Sequence, residues 1–322
     1  MSAPRKVLIA SGSPDLLNTN TLLRGYVSEG FRRAFPDAQV TAVPYELAVS
    51  AARTLVPDLA LVFGSVMIDG TDYDHLSEMV RRGGGRVAFW LHDDPYEFDA
   101  NDRVIPLADV IFTNDEASLD YYPVEAGVHH LPLGGCPVTH LRAVEHRAAP
   151  DLFFCGHLFE NRRKFLGQLA DRVPDLDRRL IVIGSSDVDA RVPGWYRATI
   201  PNIMLPDYYS TALSVLNIGR DLNLANRRYG ICASTPGPRT FEAAFAGAAQ
   251  IFVGDGLEIM DYFEPDREIL LADSVDAFLD HFERLKRQPS LSLEVGRKAQ
   301  ERALSDHGYE RRVKTLVELA LA

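Results

Sequence analysis

The chain has 322 residues, 46% of them hydrophobic and 25% charged, with a formal net charge of −11. That length exceeds a usual single hydrophobic core, so two domains are expected. The acidic balance argues against a nucleic-acid surface, which needs a basic stripe, but it permits a local basic pocket for an anionic small molecule.

Only five of the 34 basic residues are lysine, a bias that points to a GC-rich bacterial genome. Cys136, Cys155 and Cys232 form neither a metal spacing nor a disulfide framework and fit a reducing cytoplasm. The opening residues lack the apolar core of a signal peptide. No apolar run approaches the roughly 18 residues of a membrane span, so no integral membrane segment is expected.

In chain order, strands are expected at 7–10, 39–43, 59–63, 86–91, 110–113 and 129–132, with amphipathic helices over 19–34, 73–82 and 117–125. Short apolar strands separated by helices indicate a parallel sheet covered on both faces. Residues 134–150 lack periodicity and read as a linker. A second alternation follows, with strands at 152–155, 180–183, 215–218, 249–253 and 268–271 and helices at 162–171, 238–246 and 275–286. The tail from 293 to 322 reads as helical, with a break at Asp306-His307-Gly308.

Ligands of such sheets lie beyond the carboxyl ends of the strands, so the loops there carry the candidates. After the first strand, Gly12-Ser13-Pro14 lets the backbone approach a ligand closely, although it is not a dinucleotide fingerprint. After 86–91, His92, Asp93 and Asp94 offer a base, a partner for it and an acceptor for hydroxyls. An Asx turn before Pro95 is the plain structural alternative. No second His/Asp cluster converges there to make a metal site.

Further along, Gly156 and the basic trio Arg162-Arg163-Lys164, with Asn161 beside it, open a helix and form an anion-binding candidate. Cations at a helix start oppose the macrodipole unless an anion or carboxylate offsets them. A loop of small donors holds Ser185, and Arg220 follows the strand at 215–218. Tyr208 and Tyr209 read as packing residues rather than a base-stacking surface. Finally, Pro236-Gly237-Pro238 opens an Ala-rich helix with Arg239, Thr240 and Glu242 in its first turns. Its unpaired N–H groups suit a phosphate, Arg239 a second anion contact, and Glu242 a ribose diol.

The ordered blocks W-L-H-D-D-P-Y-E-F-D, A-D-V-I-F-T-N-D, H-H-L-P-L-G, D-L-F-F-C-G-H-L-F-E-N-R, L-N-I-G-R-D, P-G-P-R-T-F-E-A-A-F-A-G and Y-F-E-P-D-R-E-I-L resemble the CgeB-like (spore maturation protein-like) branch of the group 1 glycosyltransferases. The resemblance covers roughly 85–285. It implies a GT-B fold: an α/β protein of two Rossmann-like domains facing across a cleft, with a C-terminal helix crossing back. The corresponding boundaries are 1–140 for the acceptor-binding domain, 141–305 for the nucleotide-sugar-binding domain and 306–322 for the returning helix.

The resemblance further implies a nucleotide-diphospho-sugar donor as co-substrate, a small-molecule or glycan acceptor, no metal and no separate cofactor. Glu242 falls on the ribose-binding position, and Arg162 and Arg220 on the diphosphate positions. Many group 1 enzymes carry another glutamate eight residues before the ribose-binding one. Here that position is Ser234, which leaves retaining or inverting stereochemistry open. A sugar-nucleotide 2-epimerase and a non-catalytic sugar-nucleotide-binding protein of a spore or envelope assembly are the alternatives.

Overall fold

The computed structural model describes residues 3–17, 21–68, 71–147, 150–173, 180–183, 201–254, 256 and 258–322. The chain divides into two compact units. One comprises Met1–Leu133, Asn223–Thr235 and Gly308–Ala322; the other comprises Gly134–Leu222 and Pro236–His307.

The first unit is built on β1 (Lys6–Ser11), β2 (Gln39–Val43), β3 (Leu59–Phe63), β4 (Arg86–Leu91), β5 (Val110–Thr113) and β6 (Val128–His130). They form one parallel sheet in the order β2-β1-β3-β4-β5-β6. The central strands are buried on both faces, which is why they read as unbroken apolar runs rather than as alternation. Strand order reverses at β1/β3, and the loops leaving a reversal diverge to open a crevice.

Around this sheet lie α1 (Thr21–Ala34), α2 (Ala48–Leu55) and α3 (Tyr73–Arg82), which the Asp72 side chain caps at the His75 N–H, 3.0 Å away. α2 escaped the sequence reading. The helix expected at 117–125 is instead two short 3-10 turns, Glu116–Tyr121 and Val124–Ala126. Pro123 separates them, because it cannot donate to a continuing helix and disfavours helical backbone before it.

The second unit carries β7 (Leu152–Cys155), β8 (Leu180–Ile183), β9 (Ser214–Ile218), β10 (Gln250–Val253) and β11 (Leu270–Ala272), all parallel, in the order β11-β10-β9-β7-β8. Here the order reverses at β7/β9. Its helices are α4 (Pro137–His140), α5 (Glu160–Arg172), α6 (Leu205–Thr211), α7 (Pro238–Phe245), α8 (Ile259–Tyr262), α9 (Val275–Arg287) and α10 (Pro289–Asp306). α11 (Tyr309–Ala320) follows the break at His307-Gly308 and packs on α1 in the first unit. The two helices approach so closely that a Cβ on Gly30 would stand 2.8 Å from the Tyr309 backbone.

The segment 134–150, read as a linker, is packed in its described part. A Cβ on Gly135 would stand 2.2 Å from the Phe245 ring. Arg147 donates to Ser292 Oγ (2.8 Å) and to the carbonyls of Ser210 (2.6 Å), Gly247 (3.0 Å) and Ser292 (2.7 Å). Side-chain bonds to backbone, which leave no periodicity in sequence, hold this stretch in place. Among the described residues no helix is long and apolar enough to cross a membrane.

Candidate functional site

In the first unit the carboxyl ends of β1, β3 and β4 bring several sequence candidates together. Gly12 is needed for contact: a Cβ there would stand 2.4 Å from the Ser65 carbonyl oxygen. Ser13 beside it is buried. Gly64 has a φ of +128°, which favours glycine, and a Cβ on it would stand 3.4 Å from His92 Nε2.

His92 is 3% exposed, and its Nδ1 lies 3.0 Å from Asp93 Oδ2. With the Nδ1 proton directed at that carboxylate, the Nε2 lone pair is the ring's basic site, beside the Gly64 backbone. His92 and Asp93 thus form a carboxylate-oriented imidazole after β4, beside the β3 loop that borders the strand-order reversal.

Asp94 is placed differently. Its Oδ1 accepts from Asn101 Nδ2 (2.7 Å), and its Oδ2 accepts from Thr113 Oγ1 and Tyr122 OH, both at 2.6 Å. Burial raises its carboxyl pKa, while those three hydrogen bonds pull the other way. The side chain ties the β4 loop to β5 and the turn beyond it through side-chain partners alone, which is neither the Asx turn that the sequence suggested nor a ligand contact.

Sequence reasoning missed two members of this cluster, Glu97 and Ser65. The Ser65 hydroxyl donates to Glu97 Oε2 at 2.5 Å, and Glu97 is 6% exposed. Desolvation, then the neighbouring Asp93 charge, pushes the Glu97 carboxyl up to about 7. Its one sequence signal was a carboxylate four residues after Asp93, on the far side of Pro95.

In the second unit the candidates gather where β7 and β9 diverge. Arg162 donates from Nε to the Ile218 and Gly219 carbonyls (3.1 and 3.2 Å), from Nη2 to Ile218 (2.7 Å) and from Nη1 to the His157 carbonyl (2.8 Å). Its guanidinium also lies over the Phe154 and Phe159 rings. These carbonyls and rings offset the cation at the start of α5, so the local inconsistency is resolved inside the protein. Asn161 Nδ2 donates to the same Gly219 carbonyl at 3.1 Å. Gly156 makes room for Arg162: a Cβ there would stand 2.8 Å from Nη1.

Desolvation first, then the fields of Arg162, Arg220 and Arg239, lower the His157 pKa. Three arginines, from the first turns of α5 and α7 and from the loop after β9, therefore act on one point after β7. Arg239 donates to Glu242 Oε2 (2.9 Å) and to Asn202 Oδ1 (3.2 Å). Desolvation works against its charge, yet Glu242 and its other neighbours outweigh this and raise the Arg239 pKa.

Glu242 is 4% exposed, and its Oε1 lies 3.8 Å from His140 Nε2. The Cys136 N–H donates to His140 Nδ1 at 3.0 Å, so in the neutral ring the proton sits on Nε2, towards Glu242. Burial lowers the His140 pKa and favours that neutral form. Thr240 is fully buried; its hydroxyl accepts from Asn217, and its carbonyl from Gln250, which fixes α7 on β9 and β10. Tyr208 stacks on Phe153 with ring centroids 5.1 Å apart, the packing role expected for it. Ser185 lies outside the described residues.

Ser234 belongs with the first unit. Its N–H and that of Thr235 donate to Asp115 Oδ2 (2.8 and 3.0 Å), and its Oγ accepts from the Ala117 N–H at 3.2 Å.

The chain matches a family model described as glycosyl transferase-like over residues 162–318. No curated protein matches it. Among solved structures, Anabaena HepE in complex with UDP and glucose aligns with a TM-score of 0.60 at 13% identity, covering 98% of this chain and 99% of that one. Sucrose-phosphate synthase from Thermosynechococcus elongatus aligns with a TM-score of 0.59 at 14% identity, covering 98% of each chain. TarM aligns with a TM-score of 0.57 at 12% identity over 86% of this chain, which spans 58% of TarM's length. At these identities the likeness shows the fold, which is GT-B.

Proposed function

We propose that the protein is a glycosyltransferase that moves a sugar from a nucleotide-diphospho-sugar to a small-molecule or glycan acceptor. The observation that carries this reading is the β7/β9 cluster: Glu242 is held by Arg239 near the start of α7, and Arg239, Arg162 and Arg220 all act on His157 after β7. A carboxylate one turn into a helix whose first turn carries an arginine suits a ribose diol next to a diphosphate. The match to a glycosyl transferase-like family model over 162–318 spans α7 and Arg220, and HepE was solved with UDP and glucose. We place the chain in the CgeB-like branch on its ordered motifs and, with its cysteines unpaired, in the bacterial cytoplasm.

In this reading Glu242 accepts from the ribose hydroxyls. Arg220 and Arg239 stabilise the negative charge that grows on the diphosphate, with Arg162 adding its field from the carbonyls of His157, Ile218 and Gly219 that hold it, so the transfer needs no divalent ion. His92 Nε2 takes the proton of the acceptor hydroxyl or amine, whose heteroatom attacks the anomeric carbon. The bond from that carbon to the diphosphate oxygen breaks, and its electron pair leaves with the nucleoside diphosphate. Asp93 holds the ring by its Nδ1 proton and balances the imidazolium. Asp94 is a positioning residue for this loop, with Gly12 and Ser13 in the loop beside it, while Gly156, Asn161 and Thr240 shape the β7/β9 cluster of the second unit.

The test is to incubate the protein with UDP- and dTDP-sugars, with and without an acceptor library, and follow products by mass spectrometry and NMR. The proposal expects sugar transfer and nucleoside diphosphate release that depend on acceptor. An epimer formed from the donor alone, or binding without any turnover, overturns it.

A further inference from the structure

We propose that Glu97, held by Ser65, is a positioning residue for the His92–Asp93 pair and sets how readily His92 takes up a proton. The inference rests on His92 being the base of the reaction proposed above. Three elements meet here: the loop after β4 gives His92, Asp93, Asp94 and Glu97, the loop after β3 gives Ser65, and α3 gives Tyr73. The Ser65 hydroxyl fixes Glu97 Oε2 at 2.5 Å, and the Asp93 Oδ2 to His92 Nδ1 contact is 3.0 Å.

His92 and Glu97 are both almost wholly buried, at 3% and 6% exposure. In such surroundings water screens little of the interaction between their charges. The groups that act on the Glu97 carboxyl are Asp93, His92 and Asp94 by charge and Ser65 by its hydrogen bond. Tyr73 feels the field of Glu97 and of Arg103, which donates to the Val66, Met67 and Ile68 carbonyls. Of these, Asp94 is committed to Asn101, Thr113 and Tyr122. Glu97 is thus a further carboxylate, beside Asp93, whose charge changes what an imidazolium at His92 experiences.

An ionised Glu97 favours the charged ring and so strengthens His92 as a base; a protonated Glu97 withdraws that support. Ser65 donates to the carboxylate and favours its ionised form. Removing the hydroxyl moves the loss of charge to higher pH, whereas Glu97→Gln abolishes the charge altogether.

The imidazole of His92 is followed by nitrogen–proton correlation NMR across pH in the wild type, Glu97→Gln and Ser65→Ala, with His92→Gln used for assignment. This readout needs no turnover, so its outcome is separate from whether the protein transfers sugar. The expected result is a His92 midpoint lower by about one pH unit in Glu97→Gln, together with loss of the second inflection that the Glu97 titration imposes on the wild-type curve. Ser65→Ala keeps that inflection and moves it upward. A His92 curve unchanged in Glu97→Gln, with the fold intact by circular dichroism, overturns the proposal. In the transfer assay the acid limb of kcat/KM shifts in the same sense, whereas a purely structural role lowers the rate and leaves the limb where it was.

Discussion

Replacing Glu97 by glutamine makes stability report on the burial of this carboxyl. The group is 6% exposed and its pKa is pushed from 4.5 up to about 7, chiefly by desolvation and then by the Asp93 charge. Between those values the folded protein holds a proton at Glu97 that the unfolded chain has already released. Stability from this group is therefore full below 4.5 and falls as pH rises towards 7. Two and a half units at about 1.36 kcal/mol each amount to ~3 kcal/mol.

Glutamine still accepts from the Ser65 hydroxyl but carries no charge, so it escapes this loss. For a unit of this size ~3 kcal/mol corresponds to a Tm change of roughly 6–12 °C. Calorimetric melting from pH 4 to pH 8 should show the variant gaining that much on the wild type across the window. Parallel Tm curves for the two proteins would refute the argument that Glu97 is buried with a raised pKa.

Asp94→Ala should cost roughly 2–4 kcal/mol in denaturant unfolding, because it removes the buried acceptor of three hydrogen bonds and leaves Asn101 only the Tyr122 hydroxyl and Thr113 only the Asp115 backbone; a change below about 1 kcal/mol contradicts its structural role. Gly12→Ala should destabilise by about 1–3 kcal/mol, since its Cβ meets the Ser65 backbone carbonyl, which cannot swing away as a side chain can; thermal melting measures this, and an unchanged Tm counts against that close approach. EDTA treatment should leave the initial rate of transfer within about twofold of the untreated enzyme if the arginines supply the positive charge; loss of activity restored by a divalent ion contradicts that assignment.

The parallel sheets were legible because buried strands are short apolar runs bounded by glycine, proline and helix signals, as 59–63 and 86–91 are. The break at His307-Gly308 was legible for the same local reason. Elements fixed by tertiary contact were harder to see. The 3-10 turns around Tyr122 take their form from Pro123 and from the Tyr122 hydroxyl on Asp94, a partner 28 residues away. The packing of 134–147 rests on Arg147 reaching four acceptors far along the chain.

At the site, local chemistry singled out His92, Asp93, Arg239 and Glu242, while the roles of neighbours required the fold. Asp94 and Asp93 are adjacent in sequence, yet the turn after β4 sends one into a closed hydrogen-bond network and leaves the other on the histidine. Glu97, Ser65 and His140 matter through the group each touches, and no spacing in the sequence announces those contacts. His140 in particular follows a Gly-Gly-Cys-Pro stretch that reads as loop.

The central claim is that Glu242 and the arginines around it bind a nucleotide-diphospho-sugar. Isothermal titration of UDP and UDP-sugars into the wild type, Glu242→Ala, Arg220→Ala and His92→Ala tests it most directly. The account predicts binding by the wild type, loss of detectable binding in the first two variants, and retention within a few-fold in His92→Ala. Undiminished affinity in a folded Glu242→Ala protein contradicts it.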